Sequence, residues 1–344
     1  MSIYSFKNDY SESCHPDILK SLAKINMQQE EGYGYDSHTI NAISKIRKLL
    51  GDKNAYIHFI SGGTQANLIV ISAFLKPHEA CVCANTGHIA THETGAIEYT
   101  GHKIITVTSK NGKLTPEQIE KAITPYNCEH FVKPKLVYIS NATEIGTVYT
   151  KEELKNLNEY CKSKGLILFA DGARLGSALS VKEANLTLKD MYDFTDAFYI
   201  GGTKNGALLG EAIVIRNEAL RDGFKYNVKQ KGGLLAKGQV LGIQFETLFK
   251  DNLYFDLANH ANEMAKLITK GLKEAGIKFL TESLSNQIFP ILKNEVIEKL
   301  EKKFGFYIWE KVDENYSSIR LVTSWATKKE EVLKLIEEIK KLNN

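Results

Sequence analysis

The chain has five cysteines and no CxxC pair. Neither a disulfide scaffold nor a zinc ribbon is therefore expected. Cys81 and Cys83 lie two apart in an apolar run, so they share one face of a strand and read as small buried hydrophobes in a reducing compartment. Long apolar stretches are missing too. Leu68–Leu75 is among the longest, Ser72 interrupts it, and a membrane span needs roughly 18 residues. The opening residues, MSIYSFKNDYSE, lack a charged lead followed by an apolar core, so a cytoplasmic location is expected. An excess of charge is also lacking: 44 Lys and Arg face 41 Asp and Glu, leaving +3. That balance, spread along the chain, gives no footprint for nucleic acid. His88 and His92 have ligand-like spacing with Glu93 next door, but Ile89 stands where HExxH needs Glu, and no metal is expected. There is no low-complexity linker and no solenoid repeat.

What is present is a run of short apolar segments suited to buried strands: Tyr56–Ile60, Ala80–Ala84, Lys103–Val107, Leu136–Ile139, Leu166–Ala170, Ala197–Ile200 and Glu211–Ile215. Helical patterns lie between several of them. Thr150 and Glu153 form a capping box for a helix over 151–164, Leu154, Leu157 and Cys161 share its stripe, and Gly165 can close it. Strand, helix and strand in that order predict an α/β fold whose mostly parallel, seven-stranded sheet has helices on both faces. After about residue 245 the texture changes. A long helix is expected near 253–274, then strand-like runs at 278–280, 287–292, 306–310 and 318–323, and a final helix marked by Thr327 and Glu330. The expected division is an N-terminal arm (1–15), a large domain (16–245) and a smaller α+β domain (246–344).

In open parallel sheets, ligands bind where the strands end. Three strand ends carry chemistry. After 56–60 comes Ser61-Gly62-Gly63-Thr64-Gln65 and then a helical run, an arrangement that puts N–H groups and a hydroxyl at the positive end of a helix. It is neither a Walker A loop nor GxGxxG, and a plain strand-to-helix turn with an N-cap Thr fits equally well. After 166–170 comes Asp171-Gly172-Ala173-Arg174; such an Asp is often only a helix cap, and the Arg its partner. After 197–200 comes Gly201-Gly202-Thr203-Lys204, where glycines clear space around an ammonium that either points to solvent or serves as a Schiff-base amine. Together the three provide a phosphate site, a carboxylate for a pyridinium nitrogen and an amine for an aldehyde, the set that pyridoxal 5'-phosphate requires.

The segments FKNDYSESCHP, GYGYD, SGGTQAN, TGHIATHETGA, DGARLG, GGTKNG and IRLVTSW run in order from residue 6 to residue 325. In them the chain resembles the threonine aldolases of the β-eliminating lyase family, within the aminotransferase-like fold of pyridoxal phosphate enzymes. DGAR followed by the lysine of GGTKNG is the most specific part. The resemblance implies that Lys204 bonds the cofactor aldehyde and that Asp171 keeps the pyridine nitrogen protonated. It implies that Gly63 and Thr64 bind the phosphate and that His88 lies over the ring as the base. Arg174 and Arg320 would grip the substrate carboxylate, helped by Asn8 and with Tyr33 nearby. The family's partner-supplied phosphate clamp lacks its usual Arg here, and Lys231 and Lys237 are its substitutes. Gly62 and Asn8 replace customary serines, and Tyr35 a customary Asp.

The implied enzyme is a carbon–carbon lyase acting on a 2-amino-3-hydroxy acid such as L-threonine or L-allo-threonine. It would be a homodimer or homotetramer with shared sites, with no nucleic-acid or membrane partner. β-Elimination or transamination would use the same Lys, Asp and Arg, and a non-enzymatic binding or scaffold protein would leave Lys204 merely structural.

Overall fold

The computed structural model describes residues 3–343. Strand β1 (Tyr4–Ser5) opens the chain. The next seven strands, β2 (Tyr56–Ile60), β3 (Glu79–Ala84), β4 (Ile104–Val107), β5 (Lys133–Ser140), β6 (Ile167–Asp171), β7 (Ala197–Gly201) and β8 (Glu211–Ile215), build one sheet. Their order is β2-β8-β7-β6-β5-β3-β4, and each lies on one of the seven apolar runs. Neighbours are parallel except at β8, which is antiparallel to both β2 and β7. This reversal shapes the site. β8 starts at the edge where the others end, so Glu211 sits opposite both Ile60 and Gly201.

Strand periodicity decides which side chains meet. Val82, Val137, Leu168, Ala170, Phe198 and Ile200 face one core. The alternate residues, among them Cys81, Cys83, Tyr138, Phe169 and Tyr199, face the other. Both cysteines therefore do point to one side. The helix Gly63–Phe74 covers that second face with Ala66, Ile69, Val70 and Phe74. Asp171 continues the Ile167–Phe169 alternation, which brings its carboxylate to Tyr138 and Tyr199 at the sheet's carboxyl edge.

The C-terminal region forms a third core with its own sheet. Its sheet holds β9 (Gln287–Ile288), β10 (Ile291–Lys293), β12 (Tyr307–Lys311) and β13 (Tyr316–Val322), while β11 (Phe304–Gly305) pairs with β1 in a second, two-stranded sheet. β13 is central, paired antiparallel with β10, β12 and β9. The run expected at 287–292 is split in two because Pro290 cannot donate to the ladder. The run at 278–280 contributes a single bridge, Phe279 to Pro290. Thr327 does not cap the last helix, which spans Lys329–Asn343; its hydroxyl accepts from Ser324 N–H instead. The capping box of Thr150 and Glu153 is present as expected, on the helix Lys151–Ser163.

Two segments tie the third core to the sheet. The helix Leu253–Glu274 contributes Tyr254 and Leu257 to the first core and Ile268 and Leu272 to the third. The N-terminal arm pairs β1 in parallel with β11 and buries Phe6 in the third core. Asp9 and Tyr10 follow directly, and the arm delivers them to the sheet's edge.

Candidate active site

The carboxyl edge of the sheet opens into a cleft of about 340 Å³ whose lining includes Thr64, His88, Glu144, Asp171, Lys204 and Glu211. Its floor is Asp171. Tyr138 Oη donates to Oδ2 at 2.6 Å, Asn67 Nδ2 to the same oxygen at 3.1 Å, and Ala173 N–H to Oδ1 at 2.9 Å. Burial alone would raise this carboxyl's pKa. The Tyr138 and Tyr199 hydroxyls, the charge on His88 and the Ala173 N–H outweigh it and hold the pKa below the ordinary value. The result is a buried carboxylate kept ionised. Asp171 caps no helix: the next one, Leu175–Leu179, starts after Arg174. Gly172 is required by close approach, since a Cβ there would run into the Tyr199 carbonyl oxygen.

The end of β2 leads into the helix Gly63–Phe74, whose N-cap is Gly62 with no side-chain cap; Thr64 lies inside the first turn rather than at the cap. The first-turn N–H groups thus face the cleft without a capping side chain, the condition in which a helix N-terminus takes an anion. A Cβ on Gly62 would meet nothing within 4 Å, so the glycine leaves space beside that turn. Gln65 braces the loop, accepting from Ser61 Oγ at 2.8 Å and donating to the Lys231 carbonyl at 3.0 Å.

Lys204 follows β7. Burial and then the Arg174 charge lower its pKa, against the pull of Asp9, Asp171 and Glu211. Among the described residues it has no ion-pair partner within 4 Å; its closest cationic contact is the Tyr10 ring, 5.9 Å away. Glu211, at the start of β8, accepts from Gly202 N–H at 3.0 Å. Burial pushes its carboxyl up to about 8.

His88 begins the short helix His88–Thr91 and is braced from behind: Nδ1 meets Glu93 Oε1 at 2.8 Å, and that oxygen also accepts from Asn67 at 2.7 Å. Burial opposes the imidazolium, but Glu93 and Asp171 together raise its pKa. His92 stacks on it, with ring centroids 5.5 Å apart.

Above the floor, a second cleft of about 400 Å³ shares Tyr10, His88, Glu144, Arg174 and Lys204 with the first and adds Arg320, His92, Tyr307 and Trp309. Arg174 does not pair with Asp171. It makes a bidentate pair with Asp9 of the arm, Nε to Oδ2 at 2.8 Å and Nη2 to Oδ1 at 3.1 Å, while Asn286 also donates to Asp9 at 2.9 Å. The Arg320 guanidinium lies 5.1 Å from the Trp309 ring, and its buried Nε has no partner. The two guanidiniums keep open donors toward the shared space.

The structure thus gathers Lys204, Asp171, His88, Gly63, Thr64, Arg174 and Arg320 around one pair of clefts. It does not bring in four other expected residues. Asn8 turns back to accept from Tyr10 N–H and Ser11 Oγ, and the next residue, Asp9, holds Arg174 instead. Tyr33 is exposed, under Lys229, and lines a separate cavity of about 220 Å³ beside β2. Lys231 Nζ bonds Asn227 and Gln230, and Lys237 is exposed; neither lines its own chain's clefts. Sequence reading missed Asp9, Tyr10, Tyr138, Tyr199, Glu144 and Glu211. Strand alternation could have found the two tyrosines, and Glu211 opens an apolar run at a strand end. Asp9 and Tyr10 lie inside the FKNDYSESCHP segment, but nothing in it singled out Asp9, whose partner is far away in sequence.

A phosphate-type helix start, an ionised buried carboxylate and a buried unpaired amine fit the group that the sequence implied, and the Arg320 guanidinium, whose buried Nε is unpartnered, lines the adjoining cleft. Comparison with solved structures shows the aminotransferase-like fold class: an aspartate aminotransferase of Thermus thermophilus superposes with a TM-score of 0.71 at 15% identity, over 99% of this chain and 91% of the other. A threonine aldolase of Leishmania major superposes with a TM-score of 0.98 at 50% identity, covering 99% of this chain and all of that one. The low specificity L-threonine aldolase of Pseudomonas sp. is 33% identical over 97% of this chain and 96% of its own length. The family model for beta-eliminating lyases matches residues 11–295, and the chain belongs to that family.

Proposed function

We propose that the chain is a pyridoxal 5'-phosphate-dependent carbon–carbon lyase. It would cleave the Cα–Cβ bond of an L-2-amino-3-hydroxy acid, L-threonine or L-allo-threonine, into glycine and acetaldehyde. One observation carries the reading: an ionised buried carboxylate and an unpaired buried amine stand at adjacent strand ends, facing an uncapped helix N-terminus. In this reading the Gly63–Thr64 turn holds the phosphate, Asp171 holds a proton on the ring nitrogen, and Lys204 supplies the amine. When bound, the cofactor supplies an electron sink conjugated to the substrate's Cα. Arg174 and Arg320 orient the carboxylate, and Asp9 fixes the angle of Arg174. His88, whose pKa burial lowers but Glu93 and Asp171 raise overall, lies beside the reacting atoms, where it carries positive charge when protonated. Trp309 and Tyr307 keep Arg320 packed and limit water around it.

Lys231 and Lys237 do not line their own chain's clefts, which supports a homodimer or homotetramer, in the cytoplasm, in which they serve the neighbouring site. Among the described residues no helix is long and apolar enough to cross a membrane. Release of aldehyde from L-threonine in the absence of any amino acceptor tests the reading. A keto acid formed only with an acceptor would assign transamination, and protein with no absorption band in the presence of pyridoxal phosphate would make Lys204 structural.

A further inference from the structure

His88 has its Nδ1 on Glu93, and Glu93 and Asp171 raise its pKa against burial. To the extent that the ring is protonated, both its nitrogens are donors and it cannot take a proton. A second titratable group lies where the two clefts meet. Glu144 lines both. Its Oε1 is fixed from two sides, by Ser140 Oγ at 2.6 Å and by His88 N–H at 2.9 Å. Both of these bonds fall on Oε1, and among the described residues no other residue bonds Oε2, while the residue's own backbone N–H adds a contact to the carboxyl. Glu144 is only partly buried, as a group that must reach a substrate has to be.

We propose that Glu144 is the catalytic base, its Oε2 taking the β-hydroxyl proton of the substrate in the site shared with Lys204 and Arg174. This rests on the aldol reading above. The hydroxyl O–H pair becomes the second bond of the aldehyde carbonyl, and the Cα–Cβ pair stays with Cα. Glu144 passes the proton it took to the Lys204 amine, and the resulting ammonium gives it to Cα. No proton, oxidant or reductant is consumed overall.

The electrostatics suit the task. Burial raises the Glu144 carboxyl above its ordinary value and Asp171 adds to the rise, while the Ser140 bond and the His88 charge oppose it. Cys83 from β3, Tyr138 and Tyr149 from β5 and the segment after it, and Lys204, Arg174, Arg320, His92, Tyr10 and Tyr307 across the clefts are its other titratable and charged neighbours. A carboxylate with a raised pKa is a stronger proton acceptor than an ordinary one.

The test compares wild type with Glu144→Gln, Glu144→Asp and Ser140→Ala, each loaded with pyridoxal phosphate. Three readouts serve: the absorption band, glycine Cα–H exchange in D2O, and the pH profile of threonine cleavage. Glycine has no β-hydroxyl, so its exchange needs Lys204 but not this base. Glu144→Gln should keep the band and exchange glycine within about twofold of wild type, yet lose cleavage about 100-fold or more together with the acid limb of the profile. Glu144→Asp should recover part of the rate. Ser140→Ala removes a bond to the ionised carboxylate and should move the acid limb to higher pH. Cleavage by Glu144→Gln within about threefold of wild type, or an unchanged acid limb, overturns the proposal. So does equal loss of exchange and cleavage, which would make Glu144 a support for His88. Wild type that exchanges glycine but yields no aldehyde from any hydroxy amino acid would refute the aldol reading itself, and the proposal with it.

Discussion

The floor of the site and its roof are built by different means. The floor, Asp171 with Tyr138, Tyr199, Asn67 and the Gly63 turn, comes from adjacent strands and the helix lying on them. Its carboxylate has hydrogen bonds on both oxygens. The roof, Asp9, Tyr10, Arg320 and Trp309, comes from the two ends of the chain, brought together by the pairing of β1 with β11. It retains a buried unpartnered Nε and an arm tyrosine that is 52% exposed. A saturated floor holds one group permanently, whereas a roof with open donors exchanges its ligand. Arg174 joins the two, rising from the floor's loop and pairing with the roof's carboxylate.

The sharpest break is Asp171→Ala. It strands the Tyr138 hydroxyl and the Ala173 N–H, at about 1–3 kcal/mol for each buried donor. Denaturant unfolding should show a loss of about 3 kcal/mol or more, and the cofactor band should vanish. Roof variants should behave otherwise. Asp9→Asn keeps the shape but removes the charge that Arg174 faces, in a pair whose acid is 1% exposed. Breaking such a pair costs about 3 kcal/mol at the upper end of stability loss. The clearer signature is kinetic: KM for the amino acid rises about tenfold while the cofactor band is unchanged. Equal loss of band and affinity would erase the distinction between floor and roof.

Gly63→Ala should do less. The new Cβ would stand 3.0 Å from the Tyr199 hydroxyl, an overpacking that costs about 1 kcal/mol, read as faster cofactor loss in dialysis.

An effect of another kind is on pH dependence without cofactor. Asp171 and Asp9 both have lowered pKa values, burial being outweighed by the tyrosine hydroxyls for the first and by Arg174 and Lys204 for the second. Each therefore contributes stability that is present above the unfolded pKa and lost as pH falls through the folded one. Glu211 has the opposite sign. Its carboxyl rises from 4.5 to about 8 by burial, so the folded chain binds the extra proton and stability declines as pH rises across that window. Thermal midpoints of the apo protein should show this decline, and Glu211→Gln should flatten it.

The same division explains how much was legible in the sequence. Apolar runs at buried strands located the whole sheet, and the residues at three strand ends located Asp171, Lys204 and the Gly63 turn, because each is fixed by its own strand. The roof was half legible. Arg320 was found through the IRLVTSW motif, but its neighbour in space is set by a long-range pairing that no local pattern encodes. Hence Asn8 was expected at Arg174, while the irregular backbone after β1 puts Asp9 there. Tyr33, Lys231 and Lys237 lie outside their own chain's clefts for a related reason, since nothing within one chain draws them in.

Product identity tests the central claim most directly. The purified chain, loaded with pyridoxal phosphate and given L-threonine, should release glycine and acetaldehyde in equal amounts. L-allo-Threonine should give the same pair. Ammonia with 2-oxobutanoate, and no glycine, would contradict the account.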